Sequence, residues 1–258
     1  MDTILEKIIK TKKVEIEKAK KNISITELKK QSRKRPHYSL KDNLEVSKSG
    51  IIAEFKRKSP SKGWINKDAI SVNIVPEYQK AGASGSSILT DYEYFGGIKE
   101  DLITVGEVID LPLLRKEFII DEYQIIEADI MGADVILLIA ACLTPRQVKY
   151  LSNIAKQRNI EVLLEIHNEK ELEHICDDVT FVGVNNRNLH TFTTSLDVSV
   201  LLSDKIPNKF IKISESGIST PEDINFLRKY GFKGFLIGES FMKTKNPGKS
   251  CKYFIDSI

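Results

Sequence analysis

Eight short apolar runs, separated by longer stretches with helical punctuation, fill the sequence from residue 51 onward. They span residues 51–56, 86–90, 113–118, 134–139, 161–166, 180–185, 210–214 and 233–238. Most are near-continuous hydrophobics rather than alternating ones, as expected of parallel strands covered on both faces. Between them, Thr144-Pro145 and Thr220-Pro221 each set an N-cap residue before a proline at the first helical position. Gly82, Gly132 and Gly231 each close a helical pattern shortly before a run, like C′ glycines. Eight strand–helix units predict an α/β fold, a (β/α)8 TIM barrel, for which 258 residues is an ordinary length. A doubly wound open sheet is the alternative, and the absence of a Gly-x-Gly-x-x-Gly turn counts against it.

Residues 1–50 precede the first run. Ile4, Ile8, Ile9, Val14 and Ile16 give residues 2–20 a helical pattern, Ser24-Ile-Thr-Glu27 reads as a capping box, and residues 39–46 suit a third helix. No Gly/Ser-rich linker follows, so residues 1–258 are expected to form one domain in which 1–50 is a helical N-terminal extension packed on the barrel, over one mouth. Residues 1–62 carry 18 Lys/Arg against 8 Asp/Glu, a balance of +10, and the remainder carries 21 against 28, a balance of −7. Most of these cations are expected to solvate amphipathic helices, because the arm lacks the aromatic interleaving of a nucleic-acid platform. Neither nucleic acid nor membrane is an expected partner: no apolar run approaches bilayer length and the N-terminus has no signal-peptide core. Cys142, Cys176 and Cys251 lack paired spacing and fit a reducing cytoplasm. His37, His167, His174 and His190 have no ligand spacing, so no metal site is expected and the histidines read as structural or surface residues.

A barrel of this kind places its chemistry at the C-terminal ends of the strands. The polar residues within the apolar runs collect there: Glu54 and Lys56, Lys116, Glu165, Asn185 and Arg187, Glu215 with Ser216-Gly217, and Gly238-Glu239. Glu54 and Lys56 are two apart, so they share a face of the first strand. Isolated charges at inward positions are costly, so a ring of them points to a site. Ser216-Gly217 and Gly238-Glu239 follow the last two strands, where barrels build phosphate sites from backbone N–H groups. Lys56, Lys58 and Lys62 lie near by in sequence and suit an anionic substrate. A lysine hemmed in by another cation, as Lys116 is if Arg115 or Lys56 adjoins it, has a lowered pKa suited to proton transfer.

Seven segments carry a family resemblance: Ala53-Glu-Phe-Lys-Arg-Lys-Ser-Pro-Ser-Lys-Gly63, Leu89-Thr-Asp with Tyr94-Phe-Gly-Gly97, Leu114-Arg-Lys-Glu-Phe118, Glu165, Gly183-Val-Asn-Asn-Arg-Asn-Leu189, Glu215-Ser-Gly-Ile218 and Leu236-Ile-Gly-Glu-Ser240. Together they resemble indole-3-glycerol phosphate synthase, a carboxy-lyase of tryptophan biosynthesis. The resemblance implies ring closure of 1-(2-carboxyphenylamino)-1-deoxyribulose 5-phosphate with loss of carbon dioxide and water, no cofactor, and a monomer acting on a small anionic phosphosugar. It implies Lys116 as general acid, Glu165 as acid/base partner in the dehydration, Glu54 and Lys56 as an orienting and proton-transferring pair, and Asn185 as a hydrogen-bonding partner of substrate and Glu54. Arg187 and Ser59 resemble the groups near the anthranilate carboxylate. Pro60, Phe95, Phe118 and Leu137 resemble the apolar walls. Ser216, Gly217, Gly238 and Glu239, with Lys56, resemble the phosphate site. Glu117 departs from the family's usual Lys-Asp pair. The isomerase of the preceding pathway step, another phosphosugar barrel, is the alternative that the resemblance leaves.

Overall fold

The computed structural model describes residues 3–188 and 191–258. Its eight parallel strands are β1 (Ile51–Phe55), β2 (Gly85–Leu89), β3 (Leu113–Lys116), β4 (Val135–Ile139), β5 (Glu161–Ile166), β6 (Phe181–Asn185), β7 (Ile211–Glu215) and β8 (Phe232–Ile237). They close into a barrel because β1 pairs with both β2 and β8: Ala53 lies opposite Ser86 on one side and Ile237 on the other. Each strand falls within two residues of its sequence-derived span.

The two-residue period of a strand divides each run between two cores. Ile51, Ala53, Phe55, Ile88, Leu113, Ile136 and Val162 face outward and pack against the surrounding helices. Ile52, Leu114, Leu137, Leu163, Phe181, Ile213 and Leu236 face inward and fill the barrel. Continuing five of these rows toward the C-terminal mouth leads from Ile52 to Glu54, Leu114 to Lys116, Leu163 to Glu165, Phe181 to Asn185 and Ile213 to Glu215, while Leu137 leads to apolar Ile139 and Leu236 to Gly238. The barrel is therefore apolar below and charged above.

The expected caps form: Thr144 and Thr220 accept backbone N–H bonds at the starts of Pro145–Gln157 and Pro221–Arg228. Gly82 and Gly132 end their helices in the left-handed conformation, at φ 91° and 94°. Two features were not expected. The connection after β5 is a 3-10 turn, Glu169–His174, rather than an α-helix, and Lys58–Ser59 pairs with Gly63–Trp64 as a small antiparallel hairpin beyond β1.

The extension has three helices, α1 (Ile4–Asn22), α2 (Ile25–Leu28) and α3 (Leu40–Val46). Asp2, the residue expected to start α1, lies outside the described residues; Thr3 caps the helix with Glu6. Its buried stripe is Ile8, Lys12 and Ile16, while Val14, expected among the apolar face, is exposed. α1 reaches the C-terminal mouth, where Ile4, Leu5 and Ile8 line a cavity. α3 closes the opposite end: Leu40 and Leu44 join the inward core, and Glu161 accepts from Ser39 Oγ at 2.7 Å and the Leu40 N–H at 2.9 Å. The basic arm is not uniformly solvated. Lys12 is buried, and Arg33 and Arg35 are nearly so, both paired with the buried Asp134 below β4. Among the described residues, no helix is long and apolar enough to cross a membrane.

Candidate active site

The inward rows converge on one ammonium. Lys116, at the end of β3, points across the barrel to two carboxylates: Glu165 Oε2 at 3.3 Å and Glu215 Oε2 in shorter contact. Burial opposes charge on Lys116, but Glu215, Glu165 and Glu54 more than offset it and hold the lysine above its usual range. This reverses the expected lowering of its pKa. Neighbours along a strand face opposite ways, so Arg115 points outward and binds Glu127 at 2.7 Å and the Gln124 carbonyl at 2.9 Å. Lys56 is engaged with Glu54 at 2.7 Å.

The carboxylates differ although they share a cation. Burial works against ionisation of both. In Glu165 it is outweighed by Lys116, by His167 and by Asn185, whose Nδ2 donates to Oε1 at 3.2 Å, and the group lies below the usual carboxylate range. In Glu215 burial, reinforced by the negative charge of Glu165, prevails over Lys116 and pushes the group up. Asn185 contacts Glu165 here and not Glu54; its Oδ1 accepts the Arg187 N–H at 3.0 Å. Glu54 instead accepts from Ser87 Oγ at 3.4 Å.

Two glycines make this crowding possible. A Cβ on Gly183 would stand 2.3 Å from Glu215 Oε1, and one on Gly238 would stand 2.6 Å from Glu54 Oε1. Both are therefore close-approach glycines. Gly217 and Gly238, expected at a phosphate site, do not line the mouth cavity, whereas Ser216 and Glu239 do. Ser216 takes the left-handed region at φ 66°, uncommon for a residue with a side chain, and Gly217 follows at 79°.

The structure gathers the residues expected to form the substrate walls around one cavity. Ser59, Pro60, Phe95, Phe118, Leu137 and Arg187 all line it. Phe95, at the end of a short helix after β2, and Phe118, just past β3, stand with ring centroids 6.0 Å apart. Arg187 reaches Ser61 Oγ at 2.7 Å rather than Ser59, and its other arm lies 3.7 Å from Glu239. Leu189, the last residue of its motif, and His190 lie outside the described residues. Glu215, Leu236 and the α1 residues Ile4, Leu5 and Ile8, for which the sequence alone points to no role, also border the cavity. Glu215 was legible, standing two residues beyond inward Ile213. Among the described residues, no group of three or more His, Cys, Asp or Glu is placed to hold a metal ion.

The model of the family described as indole-3-glycerol phosphate synthase matches residues 5–254. A protein of that name from Bacteroides thetaiotaomicron is 48% identical over 259 residues, spanning 100% of both chains. The chain belongs to the indole-3-glycerol phosphate synthase family. Other members include those of Prochlorococcus marinus, 45% identical over 99% of this chain and 90% of theirs, and Polaromonas naphthalenivorans, 41% identical over 96% and 97%. As a member of the synthase family the chain is an enzyme, a carboxy-lyase of tryptophan biosynthesis. Solved structures show the same barrel at low identity. The tryptophan synthase alpha subunit of Legionella pneumophila has a TM-score of 0.61 at 13% identity, over 84% of this chain and 95% of that one. The 3-hexulose-6-phosphate synthase of Salmonella typhimurium has 0.63 at 10% identity, over 81% and 97%. Those likenesses speak for the fold alone.

Proposed function

We propose that the mouth cavity closes the indole ring of 1-(2-carboxyphenylamino)-1-deoxyribulose 5-phosphate, with Lys116 as the proton donor to the ketone oxygen. One observation carries this reading: a lysine kept charged by flanking carboxylates stands at the charged rim of an otherwise apolar barrel, beside two aromatic walls. The aryl ring lies between Phe95, Phe118, Pro60 and Leu137, which press its carboxyl-bearing carbon toward the ketone carbon. As the carbon–carbon bond forms, the ketone oxygen gains charge and Lys116 delivers a proton to it. Carbon dioxide then leaves the aryl carbon, and the new hydroxyl leaves as water. In that dehydration the leaving hydroxyl takes up a second proton, from Lys116 once it is recharged from solvent, and Glu165, held ionised, takes the proton that the adjoining nitrogen-bearing carbon loses as the ring double bond forms.

Arg187, Ser59 and Ser61 receive the aryl carboxylate. Glu54 and Lys56 hold the sugar hydroxyls and move protons, and Asn185 orders Glu165. The phosphate goes to the loops after β7 and β8, through Ser216, Gly217, Gly238 and Glu239. These loops adjoin, since Ser240 Oγ donates to the Ile218 carbonyl at 3.3 Å. Arg187 and Lys62 gather there, 3.7 and 4.0 Å from Glu239. Lys56, bound to Glu54, reaches the anion only by exchanging that partner.

Incubation with the carboxyphenylamino substrate tests the reading, with indole fluorescence as the signal; none at high enzyme concentration ends it. Lys116→Met is expected to lower kcat by about 10²–10⁴-fold, the usual worth of a positioned proton donor, with the circular dichroism spectrum intact. A near-normal kcat in that variant would remove Lys116 from its role.

A further inference from the structure

His167, two residues beyond Glu165, points toward the same mouth but is absent from every role above. Its Nε2 lies 3.2 Å from Glu165 Oε1, oblique to the ring N–H, so this is an ion contact rather than a hydrogen bond. Its Nδ1 lies 3.2 Å from Glu171 Oε2, in the 3-10 turn that replaces a helix after β5. Glu171 is itself fixed, accepting the His167 backbone N–H at 2.7 Å and Asn168 Nδ2 at 2.7 Å. The imidazole is thus wedged between two carboxylates, with little of its side chain in solvent.

A neutral imidazole has one protonated nitrogen and one lone pair. In this geometry either tautomer would leave an uncharged ring with an unprotonated nitrogen 3.2 Å from a carboxylate oxygen. The doubly protonated ring alone sets a positive charge against both carboxylates. Glu215, the other carboxylate on Lys116, has no such partner: its Oε1 makes no hydrogen bond among the described residues.

We propose that His167 is a positioning residue, standing as an imidazolium between Glu165 and Glu171, and that this second cation keeps Glu165 the ionised proton acceptor. The 3-10 turn serves this end by bringing Glu171 back against the ring. The proposal deepens the ring-closing reading and rests on it for the role of Glu165. Burial opposes the charge on His167, but Glu165 and Glu171 outweigh it and push the ring up to about 10. The other ionisable groups around the pair are Lys116 and Glu215 from the facing strands, Cys142 from the turn after β4, and Glu6 and Arg187 at the edge of the adjoining outer cavity. Burial raises the Cys142 thiol well above its usual range, so it stays neutral.

Two measurements decide the matter. The first needs no turnover: imidazole 15N NMR at pH 8, where an ordinary histidine of pKa about 6.5 is neutral. His167, assigned by loss of its signal in His167→Gln, is expected to show both ring nitrogens protonated, and Glu171→Gln to move its titration to lower pH. A neutral ring at pH 8 in the unmodified protein overturns the proposal. The second is the pH dependence of kcat/KM. A reaction needing ionised Glu165 fails below the pKa of that group, and removing a cation raises that pKa. The acid limb is therefore expected to move to higher pH, by about one unit or more, in His167→Gln, with KM little changed, and to return toward its original position in His167→Lys. An unchanged limb in His167→Gln overturns the proposal. Failure of the unmodified enzyme to turn over the substrate would end the ring-closing reading instead, and the NMR titration would still decide the state of His167.

Discussion

At the scale of single residues, the site is limited by how closely charged groups approach. Gly183 faces the barrel between Phe181 and Asn185, and the space its missing side chain leaves is taken by Glu215. A methyl group there would stand 2.3 Å from Glu215 Oε1 and 3.0 Å from Leu163 Cδ1. The carboxylate is the mobile partner, so Gly183→Ala is expected to rotate Glu215 off Lys116. Misplacing a group at the chemistry by about 1 Å can cost on the order of 10²-fold in rate, and a fall of that size in kcat is expected. Overpacking adds about 1–3 kcal/mol of destabilisation. Saturation kinetics and a denaturant titration separate the two. A Gly183→Ala enzyme with unaltered kcat would show that the contact between Glu215 and Lys116 is not needed for turnover.

At the scale of elements, α1 is fastened by a lysine in the middle of its buried stripe. Lys12 Nζ lies 2.7 Å from Asp91 Oδ2 and 3.2 Å from Glu117 Oε1, both buried. Asp91 caps the short helix that carries Phe95, accepting the Tyr94 and Phe95 N–H groups at 2.7 and 3.1 Å. Glu117 adjoins Lys116 and accepts from Thr90 Oγ1 at 2.8 Å. One ammonium thus ties the extension to the segments after β2 and β3 that bear the aromatic walls, and the longer Glu117, in place of the family's usual Asp, still reaches it. Removing one partner of a buried ion group typically costs about 3–5 kcal/mol. Lys12→Met is expected to lose that much in urea unfolding and to raise KM as Phe95 and Phe118 loosen. Lys13→Met, exposed on the same turn, should stay within about 0.5 kcal/mol. Equal effects of the two substitutions would refute the fastening. None of this was legible in the sequence. A lysine in an apolar stripe reads as a break in the pattern unless its partners are known, and Asp91 and Glu117 come from distant strand ends. The strands were legible because the two-step period and the flanking glycines and prolines are local. The 3-10 turn after β5 was not, since a contact to another segment helps fix its shape: His174 Nε2 meets the Leu143 carbonyl at 2.8 Å.

At the scale of the whole molecule, the extension grips the barrel at both ends, and the two grips have different consequences. The candidate site was legible where an inward row could be counted outward from an apolar residue, as with Glu54, Lys116 and Glu165. It was obscure where chain from another element completes the wall, as Ile4, Leu5 and Ile8 do. In a barrel enzyme the mouth holds chemistry and the opposite end holds stability. Leu40 is almost fully buried in the inward core below, and Leu5 is half-buried against the cavity above. Leu40→Ala is expected to cost about 2–5 kcal/mol, as truncation of a buried leucine does, with kcat and KM unchanged in the folded enzyme. Leu5→Ala is expected to leave the unfolding midpoint nearly unmoved and to raise KM, because it removes an apolar contact from the cavity. Urea titrations and steady-state kinetics on both variants test the division. A Leu40→Ala enzyme with altered kcat, or a Leu5→Ala enzyme that loses stability and keeps its KM, would show that the two ends of the barrel are not separable in this way.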